Sequence, residues 1–134
     1  FPITATNDDI IPANDTSIVL RVSIGHFSAL LMGDAPESIE RQIMLSDPQL
    51  TANATVLKAG HHGSKTSSSK PYIAHVNPRY AIFSVGPNNR YKFPHFDVES
   101  TFFEQKTKML RTDTNGTIQI TSDGYNMHIS TMYP

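Results

Sequence analysis

Hydrophobic and polar positions alternate most cleanly over residues 16–24, where Ile18, Leu20, Val22 and Ile24 fall on one face at period two. That period marks a strand with one side turned inward. Gly25-His26 then turns the chain into Phe27-Ser28-Ala29-Leu30-Leu31-Met32, a second strand over 27–32, antiparallel to the first. Beyond Gly33-Asp34-Ala35 the period lengthens. Pro36 suits the first turn of a helix, where its missing N–H would be unpaired anyway, and Ile39, Ile43 and Met44 form the inward stripe of a helix over about 36–46. Pro48 and the polar run to Asn53 close it before an apolar strand at 54–58.

Ser69 as cap, Pro71 in the first turn, and Ile73 and Val76 behind them predict a helix over about 70–76, stopped by Asn77-Pro78. Tyr80-Ala81-Ile82-Phe83-Ser84-Val85 has the pattern of a buried strand. Asp97 is placed to cap a helix over about 98–108 with Phe102 and Phe103 on its core side. Met109-Leu110-Arg111-Thr112 reads as strand, Asn115-Gly116 as a tight turn, 117–121 as strand, Asp123-Gly124 as a second turn and 125–132 as the last strand. The predicted order is ββαβαβαβββ, an α/β fold behind an irregular lead-in over 1–14. It is one folding unit or half of a larger one.

Composition narrows the chemistry. A chain of 134 residues suffices for one core, and its formal charge of -1 provides no global basic field, so contact with a polyanion must be local. The absence of cysteine excludes disulfides and thiolate zinc sites, which leaves histidine and carboxylate to hold any metal. No apolar run approaches the roughly 18–20 residues of a membrane span, and Phe1-Pro2-Ile3 lacks the basic start and apolar core of a signal peptide. A first residue other than Met leads us to expect a fragment or a processed chain.

The stretch Lys58-Ala59-Gly60-His61-His62-Gly63-Ser64-Lys65-Thr66-Ser67-Ser68-Ser69 concentrates the chemistry. A strand delivers two imidazoles into a loop whose flanking glycines permit unusual backbone angles, and hydroxyl and ammonium donors follow. In layered α/β folds ligands gather beyond the C-terminal ends of strands. Asp34, His61 with His62, and His95 all lie at such ends, so the topology can bring them together. Asp34 can equally serve as a helix-capping carboxylate, and paired histidines in a turn can simply be solvated. His26, His75 and His128 lack companions and read as structural or solvent-facing.

These motifs also resemble a known family. Asn14-Asp15-Thr16-Ser17-Ile18-Val19-Leu20, Leu30-Leu31-Met32-Gly33-Asp34-Ala35, the histidine stretch, Ser84-Val85-Gly86 with Asn88-Asn89-Arg90-Tyr91, and Leu110-Arg111-Thr112-Asp113 with Gly116 resemble the C-terminal half of the metallo-β-lactamase-like domain of ComEC-type competence proteins. The resemblance covers nearly everything from about residue 14 onward. It implies an αββα sandwich, with Asp34 similar to the metal-bridging aspartate and either His61 or His62 to the last histidine ligand. His61 is the one nearer the strand end.

By the same resemblance the complete domain is a zinc or manganese hydrolase acting on DNA at the bacterial membrane during uptake. Membrane association or an extracytoplasmic position would come from other parts of a larger protein. The family's His-x-His-x-Asp-His cluster is absent here and would lie upstream of Phe1, so the upstream half, or another copy of the chain, is an expected partner. Where relatives read His-Pro-His-Pro, this chain has Phe93-Pro94-His95-Phe96. Substrate contacts fall to Ser64, Lys65, Thr66, Asn89 and Arg90, and proton donation to His95. Two rivals stand beside a DNA phosphodiesterase: a hydrolase of another ester, such as a phosphocholine ester or lactone, and a non-catalytic module binding DNA or a partner through Lys65, Lys70, Arg90 and Lys92.

Overall fold

The computed structural model describes residues 12–134, so the predicted lead-in falls outside the described residues up to position 11. Its end, Ala13–Thr16, is a single 3-10 turn. The elements that follow are β1 (Leu20–Ile24), β2 (Phe27–Leu31), α1 (Glu37–Ser46), α2 (Pro48–Thr51), β3 (Val56–Lys58), α3 (Lys70–Val76), β4 (Tyr80–Phe83), α4 (Phe96–Glu104), β5 (Lys108–Arg111), α5 (Thr112–Asn115), β6 (Ile118–Ser122) and β7 (Met127–Thr131). The α/β class and the order of the long elements agree with the sequence reading; α2 and α5 are short additions.

Five strands form one sheet in the order β1-β2-β3-β4-β5. The β1–β2 pair is antiparallel, whereas β2–β3, β3–β4 and β4–β5 are parallel. Parallel neighbours need a crossover, and the helices between β2 and β5 supply it. Residues of period two on the sheet, Leu30, Leu57, Ala81 and Phe83, join Tyr72, Ile73, Val76, Val98 and Phe102 of the helices in one buried core. Phe83 meets Phe102 edge to face with centroids 5.3 Å apart, the arrangement favoured by ring quadrupoles.

The other face differs. Leu20 pairs with Leu31, Val22 with Ala29 and Ile24 with Phe27, so these side chains share one side of the sheet. Leu20, Val22, Ile24 and Leu31 are 49%, 48%, 51% and 40% exposed. The predicted inward stripe of the first strand is thus real as a stripe but is not covered among the described residues. Its first member, Ile18, precedes the paired region and is more open still.

Three further expectations need correction. α4 starts at Phe96 because His95, not Asp97, is its N-cap, the imidazole accepting from the Asp97 N–H. Phe102 is fully buried but Phe103 is exposed: the core-facing stripe of α4 takes in Thr101 and Phe102, and Phe103, about 100° further round, falls past its edge. Asn115-Gly116 joins no hairpin. Asn115 Oδ1 accepts the Arg111 N–H at 3.0 Å, Thr112–Asn115 close into one helical turn, and β6 leaves to pair with β7 alone in a separate two-stranded sheet.

The turn of that β6–β7 ribbon is set by Asp123, whose Oδ1 accepts the N–H groups of Tyr125 and Asn126 at 2.9 and 2.7 Å. Those donors hold its carboxyl down to about 2. The ribbon is latched to the first hairpin where His26 N–H donates to Gly124 O at 2.7 Å. Both Gly25 and Gly124 have positive φ, and a Cβ on Gly25 would come within 2.7 Å of the Gly124 carbonyl. Only glycines permit this approach.

Candidate metal centre

β2 and β3 run parallel and end together, and the loops beyond them carry Asp34 and the histidine pair. Asp34 N–H donates to Ser17 Oγ at 3.2 Å, and His61 N–H donates to Gly33 O at 3.0 Å, tying the two loops side by side. His61 and His62 both adopt left-handed backbone, with φ of 45° and 57°. Such angles are uncommon outside glycine and cluster where a site requires them. Gly63 completes the bend at φ 86°, where a Cβ would lie 2.6 Å from Pro94.

This backbone decides which histidine faces the carboxylate. Nδ1 of His62 donates to the Ser84 carbonyl at 2.7 Å, and Nε2 on the other side of the ring lies 3.5 Å from Asp34 Oδ1. His61 has no carboxylate partner among the described residues; its Nδ1 lies 3.4 Å from Thr66 Oγ1 and its ring meets the edge of Phe93 at 5.8 Å. It is thus His62, and not His61 nearer the strand end, whose ring meets the Asp34 carboxylate. Spacing along the chain did not contain the two left-handed turns that swing the second ring inward.

The remaining sequence candidates separate into groups. Ser64 is buried and its hydroxyl is shared with Thr66 Oγ1 at 3.0 Å, while Lys65 and Thr66 are exposed. Asn89 braces its own loop: its amide donates to Gly86 O at 3.2 Å and Phe93 O at 2.8 Å and accepts Phe93 N–H at 2.8 Å. Both its N–H groups are spent, so its role is to shape the loop. Arg90 lies over the Tyr91 ring with its guanidinium carbon 4.7 Å from the centroid. His95 is tied by its N–H to Gly63 O at 2.8 Å, but its ring caps α4 and it is not in the wall of the cavity beside His62. Lys70 is exposed and paired with Glu104 at 2.8 Å.

Other groups at the site had no role in the sequence reading. Glu40 is fully buried, and its carboxylate accepts the N–H groups of Ser68 and Ser69 and the Ser69 hydroxyl, the latter two at 3.0 and 2.9 Å. Burial raises its pKa, opposed by those donors. The signal was present: an acidic residue stands on the apolar stripe of α1, one turn before Ile43 and Met44. Lys58 donates to Gly33 O at 3.3 Å; burial lowers its pKa, and the Asp34 charge acts the other way. A cavity of about 550 Å³ lies between Asp34, His61 and His62 on one side and Val85, Tyr91 and Phe93 on the other.

Carboxylate and imidazole suit zinc, and two bonds of about 2.0–2.2 Å at a tetrahedral angle put donor atoms roughly 3.3–3.6 Å apart, which the Asp34–His62 pair matches. Among the described residues there is no group of three or more His, Asp or Glu able to hold an ion.

Over 106 residues the chain is 42% identical to ComE operon protein 3 of Bacillus subtilis (strain 168), covering 79% of this chain and 13% of that protein. It is 37% identical over 107 residues to Recombination protein 2 of Haemophilus influenzae, covering 80% of this chain and 13% of the relative. Competence protein ComA of Neisseria gonorrhoeae is 38% identical over 108 residues, 79% of this chain and 15% of the relative. These relatives indicate a competence-protein family. The chain spans only about a seventh of the length of these competence-family relatives, all of them bacterial. No protein-family model matches the chain. No solved structure matches it either. Among the described residues no helix is long and apolar enough to cross a membrane.

Proposed function

We propose that this chain is the C-terminal portion of a metal-dependent phosphodiesterase that acts on DNA in a bacterial competence system. The observation that carries this reading is His62 Nε2, 3.5 Å from Asp34 Oδ1 at the open C-terminal edge of a parallel sheet. Competence and recombination, the words in the relatives' names, both concern DNA. Asp34 and His62 would hold zinc or manganese together with donors from outside the described residues. A bound ion of this kind lowers the pKa of water toward about 7 and offsets charge on a phosphoryl oxygen.

The chain's own groups then have separate tasks. Ser84 O, by accepting the Nδ1 proton, holds the His62 ring with Nε2 toward Asp34. The exposed Lys65 and Thr66, with Arg90 across the cavity, bind phosphate oxygens. The uncovered apolar face of β1 and β2 supports a second layer of the sandwich, supplied by another part of a longer protein that is membrane-associated or extracytoplasmic, and that layer brings the missing ligands.

The test is metal content and turnover of the full-length protein with a DNA substrate. Two metal equivalents per protein, lost together with hydrolysis in Asp34→Ala and His62→Ala, are the expected result. The absence of a three-donor cluster among the described residues favours one rival, a metal-free DNA-binding module. That rival predicts no metal and a DNA affinity that falls steeply with salt through Lys65, Arg90 and Lys92. Measured alone, this chain is expected to hold metal weakly and to show no strong turnover.

A further inference from the structure

Across the cavity from Asp34 and His62 stands a wall of a different kind. Tyr91 stacks on Phe93 with centroids 5.4 Å apart and planes inclined by 18°, and the Arg90 guanidinium covers the Tyr91 ring. Phe93 is half-buried with its ring against His61, whereas Tyr91 is 59% exposed. Phe93 therefore has a structural task in backing the histidine loop. Tyr91 has none that burial would explain.

The loop that presents Tyr91 is fixed before any ligand arrives. Asn89 closes it through Gly86 and Phe93, and Asn88 and Lys92 on either side of Arg90-Tyr91 adopt left-handed φ of 55°. A mobile loop tip would spend neither a complete side-chain amide nor two unfavourable backbone angles on holding an exposed tyrosine in place. The cavity thus has a polar floor of carboxylate and imidazole, with an aromatic wall topped by a guanidinium. The exposed ring of that wall suits a flat, polarisable ring, while its guanidinium suits the phosphate attached to it.

We propose that Tyr91, backed by Phe93, is a stacking ledge for the nucleobase next to the phosphate held at the Asp34–His62 floor, so that the substrate is a nucleic-acid strand with that base unpaired. This rests on the phosphodiesterase reading and deepens it. A base within a duplex has both faces covered by its neighbours, so only an unpaired or extruded base can lie on the ledge. Arg90 turns from the ring to the phosphate as the base takes its place, which couples charge recognition to ring recognition. Tyr91 is a specificity residue; it touches no bond that breaks.

The experiment measures binding of fluorescein-labelled oligonucleotides to the full-length protein by anisotropy with zinc or manganese present, using phosphorothioate-linked strands that resist hydrolysis: a single strand, the same strand with abasic sugars, and a duplex. Tyr91→Ala is expected to weaken the normal single strand about tenfold, from the usual range for a lost base stack, and to leave the abasic strand unchanged. Tyr91→Phe restores binding, since the ring and not the hydroxyl is used. Equal affinity of Tyr91→Ala and the parent, or equal losses on normal and abasic strands, overturns the ledge. In the metal-loaded protein, hydrolysis that persists without any preference for bases leaves the phosphodiesterase reading standing and the ledge refuted. Base-dependent binding through Tyr91 in a protein without metal or turnover refutes the phosphodiesterase and retains the ledge.

Discussion

The two faces of the five-stranded sheet are built from the same kinds of residue and have different fates. On one, Leu30, Leu57, Ala81 and Phe83 are completely excluded from water by α1, α3 and α4. On the other, Leu20, Val22, Ile24 and Leu31 form an apolar stripe left 40–51% exposed. Full burial of such a side chain stabilises by roughly 1.5–3 kcal/mol, a gain the first face has taken throughout and the second only away from β1, where Val56 and Leu110 are buried. The difference teaches that one helical layer closes a core on its own side, while the open stripe is the surface on which the proposed second layer would pack.

The largest test of this contrast lies on the covered face. Phe102→Ala removes the ring that meets Phe83 and leaves a hole where neighbouring helices cannot collapse. We expect a loss of about 3–5 kcal/mol, read from the shift of the urea midpoint at unchanged slope. A cost below about 1 kcal/mol would mean that the helical layer is loosely packed and the two faces are alike after all.

That contrast also separates what could be read in the sequence from what could not. Leu30, Phe83 and Phe102 fell into place because period two and period 3.6 are local properties of the chain. The stripe from Ile18 to Ile24 was equally legible as a stripe, but which side of a strand is covered depends on partners far away or absent. The site divides in the same way. Asp34 and the histidines could be assigned to one sheet edge from the order of elements alone. The choice of His62 over His61 turned on two left-handed backbone angles, and the task of Glu40 on a carboxylate reaching residues 28 and 29 positions away. Neither is encoded in local spacing.

Glu40 provides the next largest effect, because it connects the covered face to the site. Glu40→Ala strips the acceptors from the Ser68 and Ser69 N–H groups, at roughly 1–3 kcal/mol for each donor left buried and unpaired. It should also loosen the histidine loop and lower metal affinity in the full-length protein. The pH dependence has a definite sign. Burial raises the folded-state pKa above the ordinary 4.5, so the associated stability is complete below that value and is lost as pH rises through the folded pKa. Glu40→Gln cannot titrate, so urea midpoints of the variant should fall less than those of the parent between pH 4.5 and neutrality. Parallel curves would show that the Ser68 and Ser69 donors outweigh desolvation.

The smallest expected effect is the one that bears hardest on the open face. Val22→Thr keeps the β-branched shape and strand preference while replacing a methyl by a hydroxyl at a position 48% exposed. In the isolated chain this hydroxyl stays in contact with water, and the change in unfolding free energy should lie within about 0.5 kcal/mol. In the full-length protein the same hydroxyl would be shut between two layers without a partner and cost about 1–3 kcal/mol. The comparison of one substitution in two contexts is therefore more informative than either value. A neutral result in both would mean that water, not protein, covers β1 and β2, and the second layer that is to bring the missing metal ligands would have to attach elsewhere.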